Sequence, residues 1–160
     1  MIFRRVFVAV MSLLVAACAI TPEQHFSGVG PPPSGMARVY VVSPNTRCWD
    51  WSSIGTTILV NKKAAVSLRE NTYSQFDLRP SSYIFSTSTD RQWYCNDLQG
   101  SDHAPIKLDV KAGQTYFIKY GSSIPILPIC SPSCHRRLIA IDRGVAEKQL
   151  NGTAYVPAKD

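Results

Sequence analysis

No run of basic residues in this 160-residue chain is longer than a pair, the pairs being Arg4-Arg5, Lys62-Lys63 and Arg136-Arg137. Nucleic-acid binders gather their charge on one face or stripe, so a formal net charge of +6 spread in this way reads as a solvated surface, and no nucleic-acid partner is expected. Gly-x-Ser-x-Gly elbows, Gly-rich phosphate loops and dinucleotide fingerprints are also missing. Their absence removes the sequence signatures of α/β-hydrolases, P-loop NTPases and Rossmann enzymes. No internal repeat is visible, and no apolar run reaches the roughly 20 residues a membrane-crossing helix needs.

What is present starts with a charged-then-apolar opening. Met1-Ile-Phe-Arg-Arg5 precedes an apolar run from Val6 to Ala17 that only Ser12 interrupts, the layout of a secretory signal. The run ends Leu14-Val15-Ala16-Ala17-Cys18, and its last four residues resemble the lipobox of bacterial lipoprotein signals. Small side chains at Ala16 and Ala17 give a peptidase access to the backbone, and the Cys18 thiol is the nucleophile that takes up a diacylglycerol group. The expectation is a signal peptide over 1–17, cleavage before Cys18, and membrane lipid as a partner through that residue. One acyl chain binds only marginally, at about 0.8 kcal/mol per buried methylene, so two or three are needed for a durable anchor. Ala19 in place of Asp implies, by the same resemblance, the outer membrane with the domain facing the periplasm. Arg4 and Arg5 supply two of the net positive charges, so part of the basic character belongs to the signal.

From Thr21 to Gly35 the chain is rich in Pro and Gly and lacks apolar periodicity. Residues 18–35 therefore read as a lipidated tether and semi-stiff linker that holds a domain away from the membrane. Residues 36–150 carry short β-branched and aromatic stretches separated by turn residues. They are 38–43, 56–61, 64–68, 73–78, 83–89, 105–110, 114–120 and 138–142, with a hairpin turn expected at Asn61 to Lys63. A short helix is expected over 143–150, stopped by Asn151-Gly152, and 151–160 reads as a flexible tail. The pattern argues for a mainly β fold, an antiparallel sandwich of about seven strands with a short C-terminal helix.

The succession Ala37-Arg-Val-Tyr-Val-Val42, Val60-Asn61, Val66-Ser-Leu68, Asn71-Thr-Tyr73, Leu78-Arg-Pro80, Tyr83 and Leu108-Asp-Val-Lys-Ala-Gly-Gln-Thr-Tyr-Phe-Ile-Lys119 resembles a family of uncharacterised bacterial lipoproteins. Their shared domain is a small β-sandwich akin to PEGA-type modules. The likeness covers about Gly35 to Leu150, and Ala-Gly-Gln-Thr-Tyr-Phe is its distinctive part. Two departures stand out: Pro80-Ser81 where the family has Pro-Gly, and an insertion-like segment over 121–137. Since the family has no established activity, the resemblance implies fold and location only.

Besides Cys18, the cysteines are Cys48, Cys95, Cys130 and Cys134. In an exported chain an even set reads as disulfides, here with three possible connectivities. The favoured pairing is Cys48 with Cys95 and Cys130 with Cys134, worth about 4 and about 2 kcal/mol before strain. Cys130-Ser-Pro-Ser-Cys134-His135 is one residue wider than a c-type haem attachment motif. It is also wider than the Cys-x-x-Cys that lowers thiol pKa. A zinc site using these groups with His103 conflicts with thiol pairing in an oxidising compartment, so neither metal nor cofactor is expected. Ser101-Asp102-His103 are adjacent in sequence, which does not create the convergence a catalytic triad requires.

Trp49, Trp51, Trp93 and Tyr94 flank the first cysteine pair. They either pack over a disulfide as a small satellite core or form a ligand platform. Ile124-Pro-Ile126-Leu127-Pro-Ile129 either folds back on the core or is an interaction patch. The resulting expectation is a non-enzymatic, membrane-anchored envelope lipoprotein, a binding or structural module whose partner is another envelope protein or peptidoglycan. The alternative is a periplasmic redox or haem-binding protein centred on Cys130, Cys134 and His135.

Overall fold

The computed structural model describes residues 24–44, 55–88, 105–122 and 136–159. Nine strands and one helix follow in chain order among these residues. They are β1 (Ala37–Ser43), β2 (Thr56–Val60), β3 (Lys63–Leu68), β4 (Thr72–Leu78), β5 (Ser81–Ser88), β6 (Ile106–Val110), β7 (Thr115–Ser122), β8 (Arg136–Ala140), α1 (Arg143–Leu150) and β9 (Ala154–Tyr155). The fold is the mainly β sandwich with a short C-terminal helix that the sequence predicts, with more strands than expected. One sheet has the order β8-β7-β1-β4-β9 and the other β3-β2-β5-β6. The five-stranded sheet is mixed, because β1 runs parallel to β7 and β4 runs parallel to β9.

Strand alternation sorts the side chains into two cores. Ala37, Val39, Val41, Phe76 and Ile118 face inward from the five-stranded sheet and meet Ile58, Val66, Leu68, Phe85 and Val110 of the other. Tyr40, Val42, Tyr73 and Phe117 take the alternate positions and form a second cluster with Ala146 and Leu150 of α1. The protein is thus layered: α1 and residues 26–29 cover the outer face of the five-stranded sheet, and the four-stranded sheet covers its inner face. The helix starts where Asp142 caps it, its carboxylate accepting from the Val145 N–H at 2.9 Å. Gly152, at φ +79°, follows the last turn, as helix C-termini commonly require.

The ends of the domain differ from the sequence reading. Residues 24–35 do not stand off as a linker: His25 bridges Ala154, Phe26 N–H donates to the Thr153 carbonyl, and Gly30 N–H donates to the Tyr40 hydroxyl. Phe26 and Val29 join the outer core. Nor is the end of the chain a loose tail. Tyr155 N–H donates to Gln24, Val156 N–H to Tyr73 and Lys159 N–H to Ala65, so residues 154–159 cross from the β4 edge of one sheet to β3 of the other. The physical reason is an open seam. Val156 and Ala158 pack against the inter-sheet core there, burying apolar surface that a free tail would leave wet.

The β2–β3 hairpin turns through Asn61 and Lys62, at φ 50° and 69°. Two consecutive positive-φ residues mark the turn type that suits two-residue hairpins. The Asn61 side-chain oxygen also accepts from Ile84 N–H at 2.9 Å, tying the turn to β5. Asn61→Ala is expected to cost about 1–2 kcal/mol, combining the lost hydrogen bond with a left-handed backbone that alanine tolerates poorly. Lys62→Gly should instead stabilise the chain, and urea unfolding of the two variants would register opposite shifts in midpoint. Ser81 is not among the positive-φ residues; it begins β5, so the Pro80-Ser81 corner uses another turn type than Pro-Gly supplies.

Candidate functional site

The register of the strands fixes where the long connections leave the sandwich. Ser43 at the end of β1 lies opposite Thr72 at the start of β4. Leu68, which precedes Thr72 by one short link, lies opposite Thr56 at the start of β2. Thr57 lies opposite Ser88 at the end of β5, Phe85 opposite Ile106 at the start of β6, and Ser122 opposite Arg136. Since β7 runs parallel to β1, the connections 45–54, 89–104 and 123–135 are all attached at one pole. The opposite pole carries tight turns at Asn61-Lys62, Arg79-Pro80 and 111–114.

Every site residue read from the sequence falls in those connections or before the domain, and so lies outside the described residues. Cys48, Trp49 and Trp51 belong to the first connection, Trp93, Tyr94, Cys95, Ser101, Asp102 and His103 to the second, and Ile126, Leu127, Cys130, Cys134 and His135 to the third. Cys18 precedes the described chain. What the structure establishes is that the stems of the segments bearing the four downstream cysteines and the tryptophans are attached at the same end. The disulfide pairing itself is a matter for those outside residues.

Among the described residues, the depressions that open beside the five-stranded sheet include a larger and a smaller one. The larger, about 730 Å³, lies between residues 26–29 and the exposed face of α1 around Glu147 and Lys148. The smaller, about 470 Å³, is lined by Gln114, Tyr116, Asp142 and Arg143, among others. No periodic pattern marks the first, because one of its walls is the Pro/Gly-rich segment. The only hint was two apolar residues, Phe26 and Val29, among glycines.

Two titratable groups of the five-stranded sheet serve structure. Arg38 clasps Asp77 across β1 and β4 with paired contacts of 2.7 and 2.8 Å. The Asp77 hydrogen bond holds the guanidinium even more firmly protonated than usual. Burial raises the Tyr73 phenol above its ordinary pKa, with Tyr40 and Tyr155 adding to the effect. Among the described residues no cluster of His, Cys, Asp or Glu is suited to hold a metal ion, and no helix is long and apolar enough to cross a membrane.

These features define a class: a β-sandwich module with tight turns at one pole and long connections at the other. No family model matches the chain, and no curated protein is significantly similar to it.

Proposed function

We propose that this protein is an envelope lipoprotein, acylated at Cys18 and lipid-anchored at the outer membrane, facing the periplasm. Within that envelope it acts as a non-catalytic binding or structural module. The carrying observation is the sequence Val15-Ala16-Ala17-Cys18 directly after an apolar run. The architecture supports the binding role, because sandwiches commonly recognise partners through connections gathered at one end, and the three long connections here share a pole. The partner class is another envelope protein or peptidoglycan, met by that pole. The resemblance to lipoproteins with PEGA-like domains belongs to the same proposal and agrees with the sandwich in fold.

Metabolic labelling with a fatty-acid analogue tests the anchor. The native chain should carry the label and sediment with membranes, and Cys18→Ser should carry none and lose its membrane association. Two or three acyl chains at about 0.8 kcal/mol per buried methylene make the expected contrast nearly all-or-none. An unlabelled native chain, or a mature amino terminus other than Cys18, would overturn the placement.

A further inference from the structure

The docking of residues 24–26 brings the described domain within five residues of Cys18 in the sequence. Only residues 19–23 separate Cys18 from Gln24, whose carbonyl is already bonded to Tyr155. An extended chain advances at most about 3.3–3.6 Å per residue, so Gln24 is held within about 20 Å of Cys18. The flank that receives it consists of residues 24–26, β9, residues 156–159 and the edge strand β3. Lys63, Arg69 and Lys159 are exposed along this flank. Lys148 is exposed on the last turn of α1, beside Phe26 and Ser27. Among the described residues the neighbouring acids are Glu70 and Glu147, the latter ion-paired with Arg143 at 2.7 Å, and in sequence Glu23 and Asp160 adjoin Gln24 and Lys159.

We propose that this tethered flank rests on the bilayer, with anionic lipid headgroups as the partner of Lys63, Arg69, Lys148 and Lys159. The inference builds on acylation at Cys18. Surface attraction acts only within a Debye length, about 8 Å at physiological ionic strength. The contact therefore needs the basic groups close to the headgroups, and a five-residue tether confines them to a much smaller volume near the bilayer than an eighteen-residue linker would. Five strands spaced 4.7–4.9 Å apart place β8 and Arg137 on the far side, about 20 Å from β9.

The test is lysine footprinting of the full acylated chain with a membrane-impermeant amine reagent, in vesicles containing phosphatidylglycerol and again after release into detergent. Mass spectrometry of the same sample reports whether Cys18 is acylated, so failure of the anchor is separated from failure of the orientation. Labelling of Lys63, Lys148 and Lys159 should slow at least threefold on the vesicles, with Lys107 and Lys111 unchanged. In phosphatidylcholine vesicles, the protection should largely disappear. Equal labelling of both sets on an acylated chain overturns the orientation, and equal protection in the two lipids overturns the choice of anionic headgroups.

Discussion

A chain terminated after Gly152 is expected to lose about 3–5 kcal/mol of stability and to melt roughly 10–15 °C below the full protein. The deleted residues include Thr153, at 0% exposure, and Ala154, at 7%. Their backbone bonds reach three separate parts of the fold: Thr153 and Tyr155 bond Phe26 and Gln24, Ala154 and Val156 bond Asn71 and Tyr73, and Lys159 bonds Ala65. Each such bond is worth about 0.5–1.5 kcal/mol net. Removal also uncovers apolar surface where Val156 and Ala158 close the seam between the sheets. Because folded domains hold only about 5–15 kcal/mol in reserve, the truncation consumes a large part of it. Differential scanning calorimetry decides the matter, and a melting temperature within 2 °C of the parent would mean the end of the chain is an accessory after all.

That truncation marks the limit of what the sequence shows. Strands β1 to β8 and helix α1 are legible because each carries its own pattern. Val39 and Val41 alternate with Tyr40 and Val42, Asn61-Lys62 announces a turn, and Asn151-Gly152 stops the helix. β9 has only two residues, too few for any alternation. Its place depends on Thr72 and Tyr73 being ready to receive it, a long-range fact that no local window contains. The strap over 24–35 fails for a related reason. Pro and Gly deny it a period of its own, and Phe26 is ordered by the face formed by Tyr40 and Tyr73, not by its neighbours in sequence. β1 carries a second signal, which the structure matches with burial on both of its faces. A strand apolar at nearly every position from Val39 to Val42 reads as buried on both sides, which implies a layer over each face of the sheet and hence a role for α1. The candidate site divides likewise: cysteine and tryptophan positions are legible as residue types, and the shared pole of their connections emerges only from the strand register.

Tyr40→Ala is the substitution expected to separate the two cores, since it should release the strap while leaving the sandwich between the sheets assembled. Tyr40 is 2% exposed. Its ring stacks on Phe117 with centroids 5.5 Å apart and meets Phe26 edge-on at 6.2 Å. Truncating a buried aromatic costs about 3–5 kcal/mol, and here the loss falls on the layer that binds residues 26–30. Tyr40→Phe keeps the ring and removes only the hydroxyl that accepts from Gly30 N–H, so about 1 kcal/mol is expected. Limited chymotrypsin digestion reads the difference at Phe26. Cleavage there should accelerate more than tenfold in Tyr40→Ala under conditions where the circular dichroism of the sandwich persists. Phe85→Ala supplies the control: its ring is fully enclosed between the sheets, so it should destabilise the fold comparably without favouring cleavage at Phe26. Equal acceleration in both variants would show that the strap opens only with global unfolding. If the strap does open by itself, the tether lengthens from residues 19–23 to residues 19–36, adding about 40 Å of reach. The lysine protection expected on anionic vesicles should then weaken in Tyr40→Ala even though Cys18 keeps its acyl chains, because the aromatic face that receives Phe26 helps the backbone bonds of residues 24–26 keep the tether short.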